Sequence, residues 1–257
     1  MNILNINLIL KWALVSNLIK AIVSGGIVAA VIVVVCFTSL VIGSTFIVSD
    51  DLSNENKTIL VLASEKGEQQ NGAVDMAYLV RLENGKLKSY SPVYPGGKKH
   101  PTVKSPRGGK LLMHDCLYYG VEKGMVYAQE IVKANTGNDS DAVVLVYTEG
   151  IDAILNVVRP IYINGIETKL TAVDIIRKND AYKGYKGSKS QVSGTMSRGD
   201  AVMVLVKELS RKAKDPQTRK IMAQAALNQY NKGNIKMIPE GSFVRLLATK
   251  GFESISS

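Results

Sequence analysis

The feature that most constrains this chain is a run without a single charge, Ala21 to Val48 (AIVSGGIVAAVIVVVCFTSLVIGSTFIV). A bilayer core takes roughly 20 apolar residues in helical form, and this run is longer. Its valine and isoleucine content would favour strand in water. In hydrocarbon, an isolated segment satisfies its own backbone groups only as a helix. Lys11 and Lys20 precede the run, while Asp50, Asp51 and Glu55 follow it. That asymmetry makes residues 1–20 a cytoplasmic tail, 21–48 a transmembrane helix, 49–57 a stalk and 58–257 an extracellular domain at the cell membrane. Two other readings stay open: a signal peptide cleaved near Ile42-Gly43-Ser44-Thr45, and a buried helix of a soluble protein.

The chain carries 32 Lys and Arg against 22 Asp and Glu, and the whole +10 excess lies beyond Asp51. A basic soluble protein would point to nucleic acid. For an external domain beside a lipid bilayer, the expected partner is anionic wall glycan or lipid phosphate, with no nucleic acid. Cys36 falls in the apolar run and Cys116 in the domain, so the two do not pair. Cys116 reads as a small buried residue, and the domain must rest on a hydrophobic core. Asn56-Lys57-Thr58 and Asn138-Asp139-Ser140 match the glycosylation sequon by pattern.

Periodicity places strands at Ile59–Ala63, Val74–Leu82, Lys86–Val93, Ala142–Tyr147, Ile161–Ile163 and Ile235–Ile238. Asn84-Gly85 and Asn164-Gly165 are hairpin signals. Helices are expected over Val121–Ala134, from a Thr148 cap to Val157, and from the Thr171/Asp174 capping box to Arg177. Three more follow: one after Ser197/Asp200, one from Asp215-Pro216 to about Lys232, and one from Ser242 to about Thr249. Pro92–Lys110 and Lys178–Thr195 read as long loops. The class is α/β, a mixed β-sheet flanked by helices and preceded by one transmembrane helix.

Asp75 interrupts an apolar strand, where an acid is costly to bury unless it caps a loop, pairs or binds a cation. Arg177 ends a helix before the second long loop, and Arg198 opens the helix after it. Either they are surface charge, or both face one anion near a helix N-terminus. Lys98, Lys99, Lys104, Arg107 and Lys110 give the first loop five bases and no acid. They are a solvated loop or a phosphate contact. His114-Asp115 beside Cys116 does not suit zinc, because neighbours on a strand point to opposite faces. Nucleophile-elbow, Walker and dinucleotide motifs are absent.

Thr58-Ile59-Leu60-Val61-Leu62 and Val74-Asp75-Met76-Ala77-Tyr78-Leu79-Val80-Arg81 resemble the start of the LytR-CpsA-Psr domain. In that family an aspartate opens the second strand. Leu112-Met113-His114-Asp115-Cys116-Leu117-Tyr118-Tyr119-Gly120 is similar to the family's Lys-hydrophobic-Asn-x-Ala-Tyr-x-x-Gly stretch. Ile175-Ile176-Arg177 and Ser197-Arg198 fall where the family has arginines that hold a lipid pyrophosphate. The likeness is to single-anchor relatives in methanogenic archaea, where the wall polymer would be pseudomurein or another surface glycan. The family moves a glycopolymer from a polyprenyl pyrophosphate carrier onto a wall acceptor, usually with Mg²⁺. The resemblance therefore implies Asp75 as metal or pyrophosphate partner and Arg177 and Arg198 as clamps; Lys98, Lys99, Arg107 and Asp115 are the further ligand-binding candidates. The family's Ile-Pro-Arg-Asp motif is replaced here by Ser91-Pro92-Val93-Tyr94-Pro95. Two expectations follow: a phosphotransferase acting on a lipid-linked glycopolymer, or a non-catalytic wall protein holding anionic glycan through its basic loops.

Overall fold

The structure is a computed structural model that describes residues 56–67, 69–83, 86–93, 96–179, 195–196 and 198–242. The apolar run, the tail, most of the stalk, Asn84-Gly85, Ser197, the loop from 180 to 194 and the last helix beyond Ser242 lie outside the described residues. Among the described residues no helix is long and apolar enough to cross a membrane.

In chain order the elements are β1 (Lys57–Glu65), β2 (Ala73–Glu83), β3 (Lys86–Val93), β4 (Lys99–Lys104) and β5 (Lys110–Leu112). A 3₁₀ turn (Cys116–Tyr119) leads into α1 (Val121–Thr136), β6 (Ala142–Tyr147) and α2 (Thr148–Val157). Then come β7 (Ile161–Ile163), β8 (Ile166–Thr168), α3 (Ala172–Asn179), α4 (Arg198–Lys212), α5 (Pro216–Asn231) and β9 (Ile235–Ile238).

Five strands form one mixed sheet in the order β3-β2-β1-β6-β9. Only β1 and β6 run parallel; the other neighbours are antiparallel. The period of two along β1 divides its side chains between two cores. Ile59 and Val61 join Tyr78, Val144 and the apolar faces of α2, α3, α4 and α5. Leu60 and Leu62 join Leu79, Leu145 and Met125, Ala128 and Ile131 of α1. All six residues of β6 are buried, as a central strand covered on both faces requires.

Local chemistry sets most boundaries. Asp215 accepts the N–H of Thr218 at 2.7 Å, with Pro216 in the first helical turn of α5. Thr171 and Asp174 form their capping box at the start of α3. Asn164 (φ 52°) and Gly165 (φ 80°) make the two positive-φ positions of the β7–β8 turn. Thr148 departs from expectation. It is the first residue of α2 rather than its cap, and Tyr147 precedes it without a side-chain capping bond.

The larger correction is the first long loop. Lys99–Lys104 and Lys110–Leu112 pair into a two-stranded arm where a long loop was expected. Leu111 and Met113 are fully buried beneath it in the α1 core. Burying side chains of this size contributes roughly 1.5–3 kcal/mol each, enough to order a segment rich in Gly, Pro and Lys.

Candidate functional site

Parallel strands in an α/β sheet present a ligand-binding edge at their carboxyl ends. Here that edge is formed by Ser64-Glu65 on β1 and Tyr147 on β6, which the parallel register sets side by side. The antiparallel strand β2 begins at the same edge. Ala63 lies opposite Met76 and Ser64 opposite Val74, so Asp75 is the extra residue of a β-bulge. The bulge explains how an acid is tolerated within an apolar strand: the alternation breaks there, and Asp75 is only partly buried.

Arg177 reaches this edge from α3. Its Nη2 lies 3.1 Å from Glu65 Oε2, with side chains 22% and 32% exposed. Two devices aim α3. Asp152 Oδ1 accepts the Ala172 N–H at 2.6 Å, and burial pushes the Asp152 carboxyl above its ordinary value despite that bond. The Arg159 guanidinium donates to the carbonyls of Thr168 (2.7 Å), Lys169 (3.2 Å) and Leu170 (3.1 Å), fixing the chain as it enters the helix. At the other end of α3, Asn179 O accepts the Met196 N–H at 3.1 Å. That bond brings the backbone two residues past Arg177 to the backbone two residues before Arg198. The side chain of Arg198 lies outside the described residues.

The rest of the edge is polar and tightly built. The Lys66 ammonium sits 4.6 Å from the centre of the Tyr147 ring and hydrogen-bonds Asn234 Oδ1. Tyr147 donates its hydroxyl to Asn71 O at 2.8 Å. Burial, and then the charge of Glu149, push the Tyr147 phenol upward. Ser64 is 1% exposed, and its Oγ has no hydrogen-bond partner among the described residues. Gly72 passes so close that a Cβ there would lie 2.4 Å from that oxygen, at a φ of +92°.

The remaining candidates are spread around this edge. His114 O accepts the N–H of Val74 (2.9 Å) and Nε2 of Gln69 (3.2 Å), so the His114-Asp115 turn abuts the strand that carries Asp75. These two residues do not alternate along a strand. They lie in a turn, and their side chains meet at 2.7 Å. Lys98 stands at the base of the arm, its carbonyl bound by the Met113 N–H. Lys99 and Arg107 are exposed on the arm itself, Arg107 in the turn at its tip. Glu65, Lys66, Ser64, Tyr147 and Asn234 escaped the sequence reading. The available signal was the Ser64-Glu65-Lys66 triplet at the end of an apolar run, on β1 and just beyond it.

On the far side of α3, a cavity of about 330 Å³ opens between the β7–β8 hairpin and the helix. Its walls mix apolar side chains, among them Ile163, Leu170, Ile175 and Met196, with polar ones that include Glu167 and Lys178.

Among solved structures, the chain is similar to protein gbs0355 from Streptococcus agalactiae at 14% identity, covering 77% of this chain and 74% of that one (TM-score 0.49). It is similar to TagV of B. subtilis at 15% identity, covering 79% and 81% (TM-score 0.49). It is also similar to TagT, in a structure bound to LIIa-WTA, at 18% identity, covering 82% and 79% (TM-score 0.40). No curated protein matches the sequence. Residues 54–182, half of the chain, match the family described as protein of unknown function (DUF4012), and the chain belongs to that family.

Proposed function

We propose that this is a membrane-anchored protein of the cell envelope that handles a surface glycopolymer linked to polyprenyl pyrophosphate. The observation that carries the reading is the convergence of backbone at one sheet edge: the Asp75 bulge, the Arg177–Glu65 pair and the Asn179–Met196 bond leading to Arg198. A pyrophosphate needs fixed cations, and an arginine held by a neighbouring carboxylate is already oriented. The mixed cavity beside α3, with apolar side chains next to Lys178, suits an amphipathic carrier. The uncharged run at 21–48 supports an anchor that holds the domain outside the cytoplasm.

Magnesium fits this donor set, since it takes one or two carboxylates together with phosphate oxygens and water. Asp75 would hold it, and the ion would neutralise charge on the bound pyrophosphate. Asp75 stands at the edge itself, as the partly buried bulge residue of β2 opposite the end of β1.

The full chain in neutral detergent should bind a polyprenyl pyrophosphate in the presence of Mg²⁺. Replacing Arg177 and Arg198 together by alanine should abolish that binding while leaving the fold intact by circular dichroism. Unchanged binding in the double variant rejects the reading.

A further inference from the structure

The segment from Lys98 to Leu112 carries five bases and no acid, and it is an ordered arm. His100 pins it. The imidazole is 4% exposed, accepts the N–H groups of Thr102 (3.2 Å) and Val103 (3.0 Å) at Nδ1, and donates from Nε2 to Glu130 at 2.6 Å. Its ring meets Tyr127 edge to face at 5.2 Å. Two further bonds lash the arm to its neighbours: Tyr119 donates its hydroxyl to Lys104 O (2.7 Å), and Asn135 donates to Lys99 O (2.9 Å).

On the arm's own side, this anchoring uses backbone carbonyls, His100 and apolar residues. The charged ends of Lys98, Lys99, Lys104, Arg107 and Lys110 have no ion pair or hydrogen bond among the described residues. Like charges held near one another on a rigid strand are destabilising unless something neutralises them. A rigid strip of this kind also loses little conformational entropy when a polyanion settles on it. Its base abuts the candidate site, through Met113 N–H to Lys98 O and Val74 N–H to His114 O.

We infer that the arm is a docking surface for an acidic sugar polymer, whose repeating carboxylates or phosphates lie along it while its linked end occupies the sheet edge. This rests on the envelope-glycan reading and adds a second site with its own residues. Recognition here is by charge. The partly exposed Tyr119 ring is flanked by Tyr118 (6.3 Å) and Tyr127 (5.7 Å), with the Lys123 ammonium 5.8 Å from its centre. Between Lys98 and Leu112 the arm itself carries no Tyr, Phe or Trp on which the bases of a single-stranded nucleic acid could stack.

The test uses the full chain in neutral detergent with polygalacturonate of about 20 units at about 50 mM salt, where counterion release makes charge contacts visible. The fully methyl-esterified polymer serves as the neutral control. The quadruple variant Lys99→Ser, Lys104→Ser, Arg107→Ser, Lys110→Ser removes exposed side chains only. It should bind the acidic polymer at least about tenfold more weakly, with a salt slope shallower by about 3. An equal loss of charge on α4, α5 and the adjoining turns (Lys207, Lys214, Lys220 and Lys232 to Ser, all exposed) should change affinity less than about twofold if the arm is the site. Equal weakening by both variants, or equal binding of the methyl ester, overturns the inference. So does an arm variant that loses phosphatidylglycerol vesicles but keeps polygalacturonate. The Arg177→Ala, Arg198→Ala variant should keep polygalacturonate binding, so failure of the arm and failure of the pyrophosphate site are read separately.

Discussion

The guanidinium of Arg177 and the carboxylate of Glu65, 112 residues apart in sequence, meet at 3.1 Å where β1 ends. Because both side chains keep contact with solvent, the pair is worth little as a brace. Arg177→Ala should cost about 0.5–1.5 kcal/mol in denaturant unfolding, within the range for a partly screened pair. The pair matters more for ligand. Glu65→Gln keeps an oxygen that can accept from the guanidinium, and so its orientation, but removes the negative charge that opposes an anion there, so pyrophosphate binding should tighten by about three- to tenfold. Weaker binding in Glu65→Gln would mean that the ligand does not face Arg177.

Glu208 controls how the β7–β8 hairpin is held. Burial alone would raise its carboxyl. Hydrogen bonds from Arg211 (2.7 and 2.8 Å) and from the Tyr162 N–H (3.1 Å) outweigh this and hold it below its ordinary value. A folded-state value below the unfolded one stabilises fully above the unfolded carboxylate range, and that stabilisation is lost as pH falls through the folded value. Glu208→Gln should therefore cost about 1.5–3 kcal/mol near neutral pH. The variant should also lose less stability than wild type when the pH is lowered from about 6 to about 3, measured by urea unfolding.

Gly124 lets α1 lie directly on the 3₁₀ turn before it. A Cβ at this position would stand 2.7 Å from both Cys116 O and Leu117 Cα, against backbone that cannot step aside. Alanine gains about 1 kcal/mol of helix propensity but meets an overpacking cost of about 1–3 kcal/mol. Gly124→Ala should thus lower the melting temperature, and a higher one would contradict the close contact.

Cys116 is an inert thiol. Burial pushes it up to about 12, and the adjoining Asp115 adds to the effect. At about pH 8 the thiolate fraction is then on the order of 10⁻⁴, too small for alkylation on a bench timescale. Iodoacetamide should leave the Cys116 peptide unmodified in the native protein and modify it fully in denaturant, as read by mass spectrometry.

Much of the fold was legible because its signals are local. β3, β6, β7 and β9 begin and end where apolar periodicity and the Asn-Gly, Gly and Pro punctuation place them. The arm was not legible. Its Lys, Gly and Pro content carries no strand signal, and its order comes from His100 finding Glu130 and from Leu111 and Met113 entering the α1 core. Asp75 was conspicuous as an acid among apolar residues, yet nothing local said that a bulge would place it at the sheet edge. Glu65 and Lys66 read as ordinary polar residues after a strand.

By itself the sequence determined most strands and helices outside the arm, the two-sided burial of β1 and β6, the basic excess beyond the uncharged run, and Asp75 as an anomaly. Only the tertiary structure decided that Glu65 meets Arg177, that Asn179 meets Met196, and that five like charges sit on a pinned arm. The physical reason is range. Periodicity and capping act within a few residues, whereas these pairings depend on sheet register and on how α3 and α1 pack across it, which no local preference encodes.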